Sequence, residues 1–133
     1  MKRHFLILIL IISAVSPCLY GQTLHETNNK THYDNLTAKR EITLLYRKLK
    51  TGYAFDKLAQ EYSQDYGSYT IGGKLGWQKS NQFVPIFSKV VGRITKGQLS
   101  KPFKSEFGYH IVQLLDRKEG EVLTRHILLK ISG

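Results

Sequence analysis

Acidic side chains are scarce in this chain: ten Asp and Glu stand against 20 Lys and Arg, a formal net charge of +10 over 133 residues. Cysteine is nearly absent. The one Cys, Cys18, lies near the N-terminus, so neither a disulfide framework nor thiolate chemistry is expected. No sequence motif for a metal, a nucleotide or an activated nucleophile stands out, and neither a metal nor another cofactor is expected. The apolar run Phe5–Val15 is too short to span a bilayer, so stable membrane insertion is not expected. The basic residues are dispersed rather than gathered into a stripe, which argues against a nucleic-acid surface. Such a surface suits solubility and a general attraction to acidic partners.

What is there begins with a leader. Lys2, Arg3 and His4 precede the apolar run, and Ser16–Gln22 forms a small, polar exit. That is the three-part form of a secretory signal peptide, with cleavage expected after Gly21, so residues 1–21 are set apart from the fold. Two other readings are a short N-terminal anchor and a lipid-modified Cys18, although Pro17 stands where lipidation wants a small residue. Residues 22–33 are polar and aperiodic and read as a flexible leader.

From Asp34 the pattern changes. Leu36, Ile42, Leu45 and Leu49 recur at helical spacing, with Asp34 or Asn35 as N-cap and Gly52 as stop. Phe55, Leu58, Ala59 and Tyr62 mark a second helix. Ser63–Lys74 is loop-like, and Leu75-Gly76-Trp77 is a short strand. Val84, Phe87, Val90, Val91 and Ile94 predict a third helix that closes near Gly97. Strands follow at Lys101–Ser105, Gly108–Leu115 and Glu121–Ile131, with a turn at Arg117–Gly120. The order implies an α+β domain over residues 34–131, with an antiparallel sheet of about four strands flanked by three to four helices.

Three segments carry a family signature: Tyr53–Asp65 (YAFDKLAQEYSQD), Gly72–Trp77 (GGKLGW), and Gly97–Phe103 (GQLSKPF) leading into Phe107–Val112 (FGYHIV). In this order they resemble the parvulin, or PpiC-type rotamase, domain of peptidyl-prolyl cis/trans isomerases found in exported folding factors, with a family core over 39–118. The resemblance implies a proline pocket built from Leu75, Phe83 and Phe87, with Gln82 beside it. Phe83 stands where the family usually has Met, Phe87 fits core and pocket equally well, and Gln82 fits substrate contact and simple solvation equally well. On the polar side the resemblance implies catalytic roles for His110, Asp65 and Ser105. His110 alone would read as a satisfied core histidine; in the family it is one of two histidines bonded to each other and to a hydroxyl. Asp65 matches the position beside the substrate carbonyl, with Tyr66 one residue away.

One departure stands out. Parvulins begin with a strand reading roughly Arg-His-Ile-Leu-Val-Lys, and none precedes the first helix here. Its counterpart is Thr124–Ile131 (TRHILLKI), at the far end. Either this segment opens a second domain, as in a shortened tandem folding factor, or it folds back and fills the vacant slot. Filling in cis is the expectation, with His126 then partnering His110. The same slot filled by another copy would make a strand-swapped dimer, whereas filling in cis leaves a monomer. The implied activity is isomerisation of X–Pro bonds in unfolded or extended polypeptides outside the cytoplasm, in the bacterial periplasm or envelope. A non-catalytic chaperone module of the same fold is the alternative.

Overall fold

The computed structural model describes residues 31–133. The expected signal peptide, Cys18 and most of the expected leader lie outside the described residues. Helix α1 runs Asn35–Lys50, α2 Phe55–Tyr62 and α3 Pro85–Val91. The strands are β1 (Lys74–Lys79), β2 (Phe103–Lys104), β3 (Gly108–Lys118) and β4 (Glu121–Lys130). They form one antiparallel sheet in the order β1-β4-β3-β2.

Local chemistry accounts for these boundaries. The Asp34 carboxylate accepts the Thr37 N–H at 2.8 Å, satisfying one of the donors left free at the start of α1. Gly52, at φ 101°, follows the Thr51 C-cap and ends the helix in the left-handed region. Pro85 opens α3, where its missing N–H costs nothing. The turn between β3 and β4 is two residues, Glu119 and Gly120, both at positive φ (49° and 81°). That conformation matches the right-handed twist of the strands it joins.

Alternation along the strands sorts the side chains into two layers. Tyr109, Ile111, Ile127 and Leu129 face α1 and α2, where they meet Ile42, Leu45, Phe55 and Leu58 in the larger core. Val112, Leu114 and Val122 face the other way and pack with Phe87, Val91 and Ile94. The last strand in the chain thus lies inside the sheet, hydrogen-bonded on one side to β1 and on the other to β3. Its interior place follows from the ladder: without it, β1 and β3 would each expose a row of unpaired backbone groups.

Strand ends move by a few residues: β1 and β3 run longer than expected, β2 is shorter, and Arg117 and Lys118 belong to β3 rather than to the turn. Three further departures concern the helices and the start of the fold. Leu36 is 64% exposed, and the buried stripe of α1 starts at Ala38 instead, continuing through Ile42, Leu45 and Leu49 at true helical intervals. Helix α3 stops at Val91, because Gly92 is a poor helix former; Ile94 reaches the core from the turn beyond. Tyr33, assigned to the leader, is buried and bridges Ile131, so the fold begins slightly earlier than its apolar pattern does.

Candidate active site

The α3-facing side of the sheet carries polar groups in an apolar setting. His110 on β3 and His126 on β4 are 3% and 7% exposed. Their rings lie 5.7 Å apart, nearly parallel at 24°. Phe87 sets its edge against both, at 5.9 Å from His110 and 5.8 Å from His126. Phe103 stacks on the other side of His110 at 5.1 Å.

Each histidine has an outer partner. His126 Nε2 lies 2.7 Å from Asp65 Oδ2. Asp65 is held for this contact from below: the Ser68 hydroxyl donates to Oδ2, and the Ser68 and Tyr69 N–H groups donate to the Asp65 carbonyl. The bond from His126, reinforced by that from Ser68, holds the Asp65 carboxyl well below the usual carboxylate range although partial burial opposes it. An ionised carboxylate only accepts, so His126 Nε2 must carry a proton. His110 Nε2 lies 2.6 Å from Ser105 Oγ, which also accepts the Phe107 N–H at 3.1 Å. Burial, then the neighbouring His126, push the His110 pKa down to about 3, so its imidazole is neutral at physiological pH.

The inner nitrogens are left over. Nδ1 of both histidines is buried without a hydrogen-bond partner. The direct histidine–histidine bond that the resemblance implied is not formed in this structure; the two rings stack instead. Unpaired buried polar atoms are rare, and each calls for an explanation such as an ordered water, local strain or a chemical role.

Gly73 fixes the position of His126. Its carbonyl accepts the His126 N–H at 2.9 Å, and a Cβ there would lie 2.1 Å from the His126 carbonyl oxygen. Only glycine permits β4 to approach so closely.

Above this network opens a cavity of about 460 Å³. Phe83 and Phe87, stacked at 4.6 Å, form its apolar floor with Leu75, while Asp65, His110 and His126 line its polar side. The geometry therefore brings Asp65, Leu75, Phe83, Phe87, His110 and His126 to one cavity. Ser105 lies behind His110 and does not line it. Gln82 does, but its side-chain oxygen already accepts the Lys79 N–H at 3.0 Å, leaving only its amide NH₂ for a ligand. Tyr66 is exposed and pairs with Tyr69, so Asp65 is the residue that reaches His126.

Sequence reasoning missed Ser68, Phe103 and Lys130. The Asp-x-x-Ser spacing of 65–68 was a usable sign of a local side-chain bond. Nothing in the sequence marks Phe103 as the stacking partner of His110, or Lys130 as a residue at the cavity rim.

Comparison with known proteins places these features in a wider set. The family model for the rotamase, PPIC-type PPIase domain matches residues 23–116. That match ends before β4 begins. Chaperone SurA of Alkalilimnicola ehrlichii is 42% identical over 85 residues, covering 64% of this chain and 20% of that protein. Chaperone SurA of Vibrio vulnificus is 45% identical over 83 residues, covering 62% and 19%. The crystal structure of the peptidylprolyl isomerase PrsA from Bacillus cereus superposes with a TM-score of 0.57 at 42% identity, covering 65% of this chain and 32% of that one. PrsA from Bacillus anthracis gives 0.52 at 28% identity, covering 71% and 38%. The chain thus spans about a fifth of the length of the curated relatives it matches.

Proposed function

The chain belongs to the rotamase family of PPIC-type PPIase domains, and from that membership we infer that it is a parvulin-type peptidyl-prolyl cis/trans isomerase acting on extended, proline-containing polypeptides. The observation that carries this reading is the apolar cavity of Leu75, Phe83 and Phe87 with a carboxylate–imidazole pair at its edge.

The X–Pro bond turns slowly because amide resonance gives it partial double-bond character, with a barrier of about 20 kcal/mol. Resonance also places negative charge on the carbonyl oxygen. Twisting returns that charge to the nitrogen, so a site that disfavours a negative oxygen and tolerates a twisted ring lowers the barrier. The proline ring fits against Phe83 and Phe87, and the substrate carbonyl lies toward Asp65. The ionised carboxylate repels the resonance-charged oxygen of the planar amide more than the oxygen of the twisted one. His126 holds that carboxylate in place, and neutral His110 with Ser105 fixes the floor beneath His126. No bond in the substrate breaks.

The reading extends to the whole chain. Residues 34–131 act as one unit, with 121–131 serving as the family's first strand supplied last, and the unit works as a monomer. Residues 1–21 direct export, and the protein acts in the bacterial periplasm or envelope on newly exported chains. A protease-free assay of cis-to-trans relaxation in a proline tetrapeptide tests the activity. Acceleration over the uncatalysed rate is expected, falling tenfold or more in Asp65→Ala. A folded protein, verified by circular dichroism, that leaves the relaxation at its spontaneous rate would overturn the isomerase reading.

A further inference from the structure

The larger concavity of the described residues is not the one beside the histidines. A groove of about 630 Å³ lies on the far side of Phe103, between the end of α1, the turn after α3 and the stretch Gly97–Phe103. Its apolar surface comes from residues such as Tyr46, Ile94, Leu99 and Phe103. Its charge has one sign. Lys50, Arg93 and Lys101 line it from three separate segments, and among the described residues no Asp or Glu does. Among the described residues, ion pairs join Lys96 to Asp116 and His126 to Asp65, and none involves these three exposed cations.

The groove is also rigid on one side. Ser100 N–H donates to the Val112 carbonyl at 2.7 Å, its buried hydroxyl accepts the Val112 N–H at 3.0 Å, and Gly97 N–H donates to Leu114 at 2.6 Å. These bonds clamp the stretch after α3 along β3, so a ligand would find one wall already formed. The cavity beside the histidines contrasts with it, since Lys130 and Asp65 at that lining offset each other.

We propose that this groove is a second polypeptide-binding site, which takes an extended segment carrying carboxylates interleaved with apolar side chains. Three like-signed cations with no internal counter-charge call for an anionic ligand. The partly buried apolar lining between them calls for side chains that a polyphosphate or a nucleic-acid backbone lacks. The wall formed by Phe103 places the ligand directly behind His110, on the opposite side of the ring stack. The proposal extends the polypeptide-binding reading above to a new surface and does not require catalysis.

The test uses a fluorescein-labelled dodecapeptide alternating Glu with Leu and Phe, free of proline so that the isomerase cavity has nothing to recognise. Its Gln-for-Glu counterpart is the neutral control, and anisotropy is read against full-length protein. The Glu peptide is expected to bind at least tenfold tighter than the Gln peptide. Arg93→Glu with Lys101→Glu is expected to weaken it tenfold or more, and the milder Arg93→Gln with Lys101→Gln gives the same direction should the reversal loosen the fold. Lys74→Glu with Lys89→Glu, an equal charge change at exposed lysines outside the groove lining, is expected to alter binding less than twofold. Equal losses in both pairs would mean general attraction to a basic chain and would overturn the proposal. So would binding of inorganic polyphosphate through Arg93 and Lys101 without binding of the Glu peptide. Tetrapeptide isomerisation is measured separately, so failure of either reading leaves the other standing.

Discussion

The two faces of the sheet are made from the same strands and have been put to opposite uses. On the α1–α2 side, Ile111, Ile127 and Leu129 are fully buried in an apolar core, and Tyr109 packs with them while its hydroxyl reaches out to Asn35. On the α3 side, alternate residues of the same strands are His110, Thr124 and His126, each with a buried polar atom that lacks a partner. One face concentrates the stabilising burial, at about 25 cal/mol for each Å² of apolar surface. The other face spends part of it holding imidazoles in place. A mutation one residue along the strand should therefore change its character from structural to functional.

The harshest way to break the contrast is to remove what both faces share. Deleting residues 121–133 strips β4 from the sheet, taking Ile127 and Leu129 from one core and His126 from the other face. Loss of cooperative urea unfolding is expected, and a truncated protein with the parent's midpoint would show that β4 is not part of the fold. Next in size is Ile127→Ala, which opens a cavity in the apolar core of the α1–α2 side. It should lower stability by about 2–5 kcal/mol in urea titrations, the range for large-to-small changes in packed cores. A loss below 1 kcal/mol, on the order seen for surface changes, would remove the asymmetry between the faces.

A third prediction concerns acid. In the fold His110 stays neutral until about pH 3, whereas the unfolded chain takes up that proton near 6.5. The unfolded state therefore binds more protons in between, and stability falls as pH drops from about 6.5 to about 3. Asp65 adds to this at lower pH: its carboxyl is held below 3.8, so its contribution is present above 3.8 and is lost as pH falls through the lower folded value. His110→Phe should flatten the part of the slope above pH 3.8, and Asp65→Asn the part below it, when urea midpoints are followed against pH. An unchanged slope in His110→Phe would mean that the fold does not hold the His110 pKa below its value in the unfolded chain.

The smallest effect sharpens the comparison from outside both cores. Leu36→Lys replaces an exposed leucine on α1 and should move stability by no more than about 0.5 kcal/mol. A larger loss by thermal melting would place Leu36 in a contact that the fold does not show.

These contrasts also separate what residue order reveals from what it hides. The helical spacing of Phe55, Leu58, Ala59 and Tyr62 is a local property, and all four are buried. Asp34 caps α1 through its near neighbour Thr37, another short-range relation. Leu36 misled because a leucine near a helix start satisfies an apolar pattern whichever way it points. Asp65 and Tyr66 could not be told apart because a loop has no period to orient its side chains. The stack of Phe103 on His110 and the charged groove behind it join segments whose adjacency no local pattern encodes.

Residue order alone suffices for the helices that carry an apolar stripe, the strand alternation that divides the two cores, and the three motif segments that tie the chain to its family. These depend on short-range periodicity and on residue types at fixed spacing. The closed fold is what sets β4 inside the sheet, brings Asp65 to His126 across 61 residues of chain and leaves both Nδ1 atoms unpaired. Those outcomes depend on backbone ladders and ring contacts between distant segments, which form only when the whole domain closes around them.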